Sequence, residues 1–450
     1  MKCQAALFLA DAIERALPAR PRADRPALLP PTPPTILHVT HQHAEWIFGQ
    51  LQPRGRIVLL SRGHLSLTDL IAAAVKRSGP ARITICVWGI SYEDVGLLQS
   101  LRDSGAATSV RLLVPPKPPH TATKSKLATD GRPTGPVDDY DALRAIFGRE
   151  NVILTATHAK IATVQNDRWS IAIRGSMNMY ACSHAEQSDI DDSPEICALV
   201  DAYAASPQQD AAYPNKAQEP SRARAALEQL VPGARLFGIT AGFSLGALLS
   251  AALEKTGPAR VSVITARCGK KEADVLAALP DSRLVLGQSV VALAKETARH
   301  AEQAMTPERV RVAMVHAKIV TIRNDRWNLV IRSSMNLSQN LRAEQFDVCD
   351  DAAIADQADA WIGEIFEQTP PGIWTAQTTL SNVERHFFCR DGNPAPALPQ
   401  ANAFRPIALP RRGAPPIRLP RAPSGALPLP PRPLAAPPPP DAGGSSPPRA

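Results

Sequence analysis

Aromatic residues make up only 5% of this 450-residue chain, which leaves little of the aromatic and aliphatic surface that proteins working at a lipid interface expose. Cysteine is equally sparse. The seven cysteines (Cys3, Cys86, Cys182, Cys197, Cys268, Cys349, Cys389) are scattered, odd in number and never paired as Cys-x-x-Cys, which argues against a disulfide framework or a zinc knuckle and points to a reducing, cytoplasmic compartment. No run approaches the eighteen or so apolar residues a membrane span needs. At the N-terminus, Asp11 and Glu14 interrupt the short apolar stretch, so it reads as an amphipathic helix and not as an export signal. The formal charge of +8 is also less than it looks. From Asp391 onward seven arginines face two aspartates, so the remainder carries only a small excess, a weak argument for nucleic-acid binding on charge alone.

What the chain does have is a repeat. THAKIATVQNDRWSIAIRGSMN (Thr157 to Asn178) is echoed without a gap by VHAKIVTIRNDRWNLVIRSSMN (Val315 to Asn336), 158 positions later. Ala185-Glu186-Gln187 returns as Ala343-Glu344-Gln345 at the same offset. Further upstream, Gly79-Pro80-Ala81-Arg82 matches Gly257-Pro258-Ala259-Arg260 at an offset of 178. The first copy therefore holds extra residues, and the Pro-, Gly-, Ser- and Thr-rich stretch from Pro115 to Val137 has the composition of a surface loop.

Each half alternates strand and helix in one order: strands at Arg56 to Leu60, Arg82 to Trp88 and Ser109 to Val114, helices at Thr68 to Arg77, Tyr92 to Leu101 and Tyr140 to Phe147. In the second half, strands at Arg235 to Thr240, Arg260 to Ala266 and Arg283 to Leu286 alternate with helices at Leu245 to Lys255, Glu272 to Leu279 and Val291 to Ala304. This alternation is the α/β class. The motif itself reads as a hairpin turning at Asn166-Asp167, with His158 and Lys160 sharing one face of its first strand, as do His316 and Lys318. The division expected is an N-terminal segment (1–54), a first domain (55–203), a linker (204–233), a second domain (234–390) and a disordered Pro/Arg-rich tail (391–450) that either docks partner domains or tethers.

Two copies of His-x-Lys followed by Gly-Ser-x-Asn or its near match resemble the phospholipase D superfamily of phosphodiesterases, over roughly residues 55 to 350. The resemblance implies two similar α/β domains forming a pseudo-dimer with one shared site. On its motif the site residues are His158, Lys160, Ser176 and Asn178, then His316, Lys318, Ser334 and Asn336. Glu186 and Glu344 lie near where the family often has an acid that steadies a histidine. Two departures stand out. The aspartate that commonly follows the lysine by five residues is missing, since Asp167 and Asp325 follow by seven and belong to the turn. Ser333 replaces the glycine that Gly175 supplies in the first copy.

The chemistry of these residues leads the same way. A neutral imidazole can attack an anionic phosphodiester and split one displacement into two through a phosphohistidine. A second imidazole can protonate the leaving oxygen and then activate water. Lysine, serine and asparagine donors would hold the nonbridging oxygens, so neither metal nor cofactor is required. Which histidine attacks is left open. The favoured substrate is DNA or RNA; the alternatives are a phospholipase or transphosphatidylase acting on phospholipid, and a catalytically decayed nucleic-acid-binding scaffold. Basic residues of the long loop (Lys117, Lys124, Lys126, Arg132) are candidates for backbone contacts. Duplication copies scaffold as well as site, so Trp169, Trp327, Ile161, Ile319, Met177 and Met335 are read as core. Arg174 and Arg332 fit a phosphate or a structural ion pair equally. His38, His41 and His43 have metal-like spacing without a completing carboxylate or thiolate.

Overall fold

The alternation of strand and helix predicted from the sequence is what each half adopts. The computed structural model describes residues 26–39, 42–63, 65–116, 126–127, 133–134, 137, 140–179, 184–205, 219–288, 295–339 and 342–373. The first half runs β1 (Ala27–Leu29), β2 (Pro34–Val39), α1 (Ala44–Gly49), β3 (Arg56–Ser61), α2 (Leu67–Ser78), β4 (Ala81–Cys86), α3 (Tyr92–Asp103) and β5 (Ala107–Val114). A small pair, β6 (Lys126–Leu127) and β7 (Pro133–Thr134), precedes α4 (Tyr140–Phe147), β8 (Val152–Leu154), β9 (Ile161–Gln165), β10 (Ser170–Gly175), β11 (Glu186–Asp192) and α5 (Pro194–Ala204). The second half runs α6 (Glu219–Ala226), β12 (Arg235–Thr240), α7 (Leu245–Thr256), β13 (Arg260–Thr265), α8 (Lys270–Ala277), β14 (Arg283–Gly287) and α9 (Lys295–Met305). It ends with β15 (Val310–Ala313), β16 (Ile319–Arg323), β17 (Asn328–Ser333), β18 (Glu344–Asp350) and α10 (Ala352–Gln368).

Two eight-stranded mixed sheets result, ordered β2-β3-β11-β10-β9-β4-β5-β8 and β1-β12-β18-β17-β16-β13-β14-β15. Apart from the first strand in each list the two orders correspond element by element, as a duplication requires. The N-terminal segment is shared between them. β1 pairs antiparallel with β12, whereas β2 pairs parallel with β3, and the prolines Pro30, Pro31 and Pro33 between them, with Pro34 at the start of β2, lack the N–H that a central strand would need. They are confined to edges accordingly.

Local chemistry explains the helices. Ser66 with Asp69, and Ser91 with Asp94, form reciprocal capping boxes at the starts of α2 and α3, satisfying donors the helix leaves open. Gly79 and Gly257, at φ of 82° and 76°, end α2 and α7 in a conformation that disfavours any side chain. On one face of each sheet lies a core private to its half, such as Leu70, Ile83 and Val164 in the first and Leu248, Val263 and Val320 in the second. On the other face the cores are shared. Trp361, Ile362 and Ile365 of α10 cluster with Val58 and Leu60 of β3, while Ile196 and Val200 of α5 cluster with Phe237 and Ile239 of β12. Each terminal helix thus bridges the two sheets. Among the described residues no helix is long and apolar enough to cross a membrane.

Several expectations need correction. His158 and Lys160 precede β9 and are not on it, and the same holds for His316 and Lys318 before β16. Trp88 lies past the end of β4. Trp169 is only partly buried, with the Arg77 guanidinium 5.4 Å from its ring centre, whereas Trp327 is fully within the core. The turn is built by Asn166, whose Oδ1 accepts from the backbone N–H groups of Arg168 and Trp169 at 3.0 Å; Asn324 repeats this, leaving Asp167 and Asp325 exposed. The tail, residues 206–218 of the central linker, the N-terminal stretch read as an amphipathic helix, His41 and the side chains of Lys117, Lys124, Lys126 and Arg132 lie outside the described residues. By contrast 219–233 is no linker: it carries α6, and Ala223, Ala226, Leu227 and Leu230 pack into the core of the second half.

Candidate active site

The segment leading into β9 crosses to the opposite half before it joins its own sheet. The backbone N–H groups of His158 and Ala159 both donate to Ala343 O, at 2.7 and 3.1 Å, and Ala343 N donates to Ala156 O at 2.8 Å. The mirror set joins His316 and Ala317 to Ala185 O, at 2.9 and 3.2 Å, with Ala185 N donating to Met314 O at 2.8 Å. Buried alanines at 159, 185, 317 and 343 permit this close approach. Beside them, the Gln345 amide accepts from Lys160 N at 2.8 Å and donates to Gly175 O at 2.6 Å. Gln187 does the same for Lys318 N (2.9 Å) and Ser333 O (2.8 Å). Buried amide groups that satisfy backbone on the other half fix the register of the two motifs against each other.

The histidines and glutamates are exchanged between halves. His158 Nδ1 lies 2.8 Å from Glu344, and His316 Nδ1 lies 3.0 Å from Glu186. Each carboxylate also accepts a hydroxyl from its own half: Ser176 donates to Glu186 and Ser334 to Glu344. An ionised carboxylate only accepts, so it selects the tautomer with the proton on Nδ1 and keeps the lone pair on Nε2, which at His158 lies 3.4 Å from the Lys160 ammonium. Both glutamates are fully buried. Burial alone would raise their pKa, but the facing histidine, the nearby lysine and the serine hydroxyl together hold each carboxyl below its usual range.

Lys160 and Lys318 are also fully buried. The Lys160 ammonium donates to His158 O at 2.5 Å and sits 3.1 Å from His158 Nδ1; the Lys318 ammonium donates to His316 O. Burial lowers the Lys160 pKa to about 8. Burial likewise pushes the His158 ring down to about 4 against the opposing pull of Glu344, and holds His316 below its usual value with help from Lys318. Lys318 also acts on His158, and Lys160 on His316. The two histidines, two lysines and two glutamates therefore form one electrostatic cluster assembled from both halves. Asn178 is buried and Asn336 half-buried at the end of the returning segment, with Asn336 Oδ1 making no hydrogen bond among the described residues.

Arg174 and Arg332 turn away from this cluster into a buried ionic network. Arg174 pairs with Asp347 through two bonds of 3.0 Å and with Asp191 at 2.8 Å; Arg332 pairs with Asp189; Arg56 and Arg235 complete the set, at 3.2 Å to Asp189 and 2.5 Å to Asp191. Their role is structural. The change from Gly175 to Ser333 is accommodated differently in each copy. A Cβ on Gly175 would come within 2.4 Å of Gln187 O, whereas Ser333 Oγ donates to Gln345 O at 2.8 Å. Among the described residues no cluster of histidine, cysteine and carboxylate side chains suits a metal ion, and His38 sits on β2 with its pKa lowered by burial and by Arg62.

Residues the motif did not flag complete the surroundings. Trp88 lies 5.5 Å from the His158 ring, and the Arg342 guanidinium stacks on the indole at 3.8 Å. At the equivalent of Arg342 stands His184, 6.4 Å from the His316 ring. The Ala-Glu-Gln echo was the available signal, since Arg342 and His184 immediately precede it.

No protein-family model and no curated protein matches this chain. Among solved structures it is similar to a phosphatidylserine synthase from Haemophilus influenzae Rd KW20, at 12% identity and a TM-score of 0.47, over 76% of this chain and 95% of that one. A polyphosphate kinase from Porphyromonas gingivalis is similar at 11% identity and a TM-score of 0.45, over 74% of this chain and 55% of the kinase, so the chain spans about half of that protein's length. A phospholipase D family member, Nuc from Salmonella typhimurium, is similar at 13% identity and a TM-score of 0.26, over 30% of this chain and 96% of that one.

Proposed function

We propose that the chain is a metal-independent phosphodiesterase acting through a covalent phosphohistidine, with DNA or RNA as its substrate. The observation that carries this reading is the exchange of glutamates, which anchors Nδ1 of both imidazoles and keeps the lone pair on both Nε2 atoms, beside two buried lysines. In the first step the Nε2 lone pair of one histidine attacks phosphorus, an N–P bond forms, and the P–O bond to the leaving group breaks. The other imidazole, protonated, gives its proton to the departing oxygen. In the second step that imidazole takes a proton from water, the hydroxide attacks phosphorus, and the N–P bond breaks with its electron pair returning to Nε2.

Both rings favour the neutral form in the free chain, which suits the nucleophile. An anionic phosphate between them raises the proton affinity of the partner ring. Lys160 and Lys318 supply positive charge to the nonbridging oxygens, where preorganised donors act most strongly in a buried setting. We read residues 55–203 and 234–390 as the two domains of a pseudo-dimer, because each contributes the groups the other's histidine needs. The nucleic-acid reading rests on cationic surroundings and on the scarcity of aromatic surface suited to lipid.

The test is electrophoresis of end-labelled DNA and RNA after incubation in EDTA, beside a phosphatidylcholine assay and a bis(p-nitrophenyl) phosphate assay. Cleavage of nucleic acid and the chromogenic diester without lipid turnover supports the reading. Lipid turnover alone transfers the chemistry to phospholipid, and binding without turnover of any of the three overturns the enzyme.

A further inference from the structure

The duplication that keeps the motifs alike has let the approaches to them diverge. After β4 the first half continues Trp88-Gly89-Ile90-Ser91-Tyr92-Glu93; at the corresponding place after β13 the second half continues Ala266-Arg267-Cys268-Gly269-Lys270-Lys271. The equivalence is structural as well, because Ile90 bridges to Met179 and Cys268 to Leu337, and Ser91 and Gly269 each cap the following helix. The first half thus presents Trp88, Tyr92 and Glu93 at the positions where the second presents Arg267, Lys270 and Lys271, three exposed cations.

Those cations border a cavity of about 300 Å³ lined by Arg267, Gly269, Lys270, Lys271, Ser338 and Gln339, with Glu272 as its one carboxylate. The Glu272 side chain is largely buried and lies against Gly246 and Gly269 at the start of α8. The balance of charge along the wall is therefore positive, and the first turn of α8 adds its backbone N–H groups. The cavity lies beside the end of the segment that carries the second motif, where Gly269 N donates to Leu337 O and Ser338 N to Asn336 O, both at 2.7 Å. Ser338 stands two residues beyond Asn336, and Ala266, the neighbour of Arg267, packs beside Gly287 and Val315 O, immediately before His316.

We propose that this cavity binds a second phosphate of the same substrate, next to the one between the histidines, so that the substrate is a chain of phosphates and enters with that chain along the second half. The inference rests on the phosphodiesterase reading for its orientation. A nucleic-acid strand and inorganic polyphosphate share the required chemistry, whereas a diacyl phosphodiester with a single phosphate does not.

The experiment uses the full chain and fluorescence anisotropy with a labelled 12-nucleotide single strand, read across salt concentrations. The triple variant Arg267→Ala, Lys270→Ala, Lys271→Ala is compared with a charge-matched control, Arg54→Ala, Lys76→Ala, Arg168→Ala, which removes three exposed cations elsewhere. Losing the phosphate contact weakens binding at least tenfold in the first variant and reduces the slope of log K against log salt by about 0.7 for each phosphate contact released, the scale for single strands. The control changes affinity by less than about threefold. Equal losses in both variants, an unchanged slope in the first, or no binding by the parent chain overturns the proposal. Displacement of the strand by inorganic polyphosphate, weakened in the same variant, keeps the site and identifies the inorganic chain as a ligand. Strand binding through this cavity without cleavage leaves the site standing and removes the hydrolase reading instead.

Discussion

Replacing Glu344 by Gln interrogates the exchange between halves at a single pair of atoms. The carboxylate faces His158 Nδ1 at 2.8 Å and accepts the Ser334 hydroxyl; the amide keeps the volume and one acceptor but loses the charge. Hydrogen bonds to a charged partner contribute roughly 1.5–3 kcal/mol against about 1 kcal/mol for neutral ones. The difference widens when the ring carries positive charge, as it does in both chemical steps proposed. A loss of about 2–3 kcal/mol in transition-state stabilisation corresponds to roughly 30- to 150-fold in rate. Release of p-nitrophenolate from bis(p-nitrophenyl) phosphate reads the rate, and a thermal melt verifies the fold. Histidine ring NMR reads the anchor itself. Glu344 raises the proton affinity of His158, so Glu344→Gln lowers the His158 pKa further while His316, held by Glu186, stays unchanged. A folded variant within threefold of the parent rate, or one whose perturbed ring is His316, refutes the cross-half assignment.

His158→Ala and His316→Ala should each lower turnover of the same diester by at least about a thousandfold with the melt preserved, because each ring acts once per cycle; near-parental rates in either would dismiss the paired-imidazole mechanism. The pH profile of kcat/KM should fall on the alkaline side above about 8 as Lys160 loses its charge. A rate that keeps rising through pH 9 contradicts the role given to Lys160. Asp347→Ala should destabilise the chain by about 3–5 kcal/mol in urea denaturation, since it strips partners from the buried Arg174 and Arg235; a change under about 1 kcal/mol would mean that the network relaxes to water.

The sequence made the duplicated motif, its hairpins and its Asn-Asp turns legible because they rest on local pattern and turn chemistry. β11 and β18 were not legible. Glu186–Asp192 reads EQSDIDD, seven residues with a single aliphatic side chain, and every one of them is buried. No periodicity rule assigns a central strand to such a run, because what permits it is long-range. Asp189 and Asp191 are neutralised by arginines of both halves, Glu186 by the opposite histidine, and the Gln187 amide by opposite backbone. For the same reason Arg174 and Arg332 stayed ambiguous, since their partners lie on the other half of the chain or in a strand the pattern did not reveal. The histidine pair was readable as two copies of one motif, but the acid that serves each copy is supplied by the other.

The ionic network also bears on ancestry. Cys349 occupies in β18 the register position that Asp191 holds in β11, with the Arg332 guanidinium 3.7 Å from its sulfur. A symmetric assembly of two first-half modules would match every interfacial arginine with an aspartate, whereas two second-half modules would trap an uncompensated surplus of guanidinium. Tandem fusion relaxes that constraint, because only the heterotypic pairing ever forms. The two modules have thereby ceased to be interchangeable, and if the chain were divided between β11 and β12, the second-half piece should fail to pair with itself while still pairing with the first-half piece.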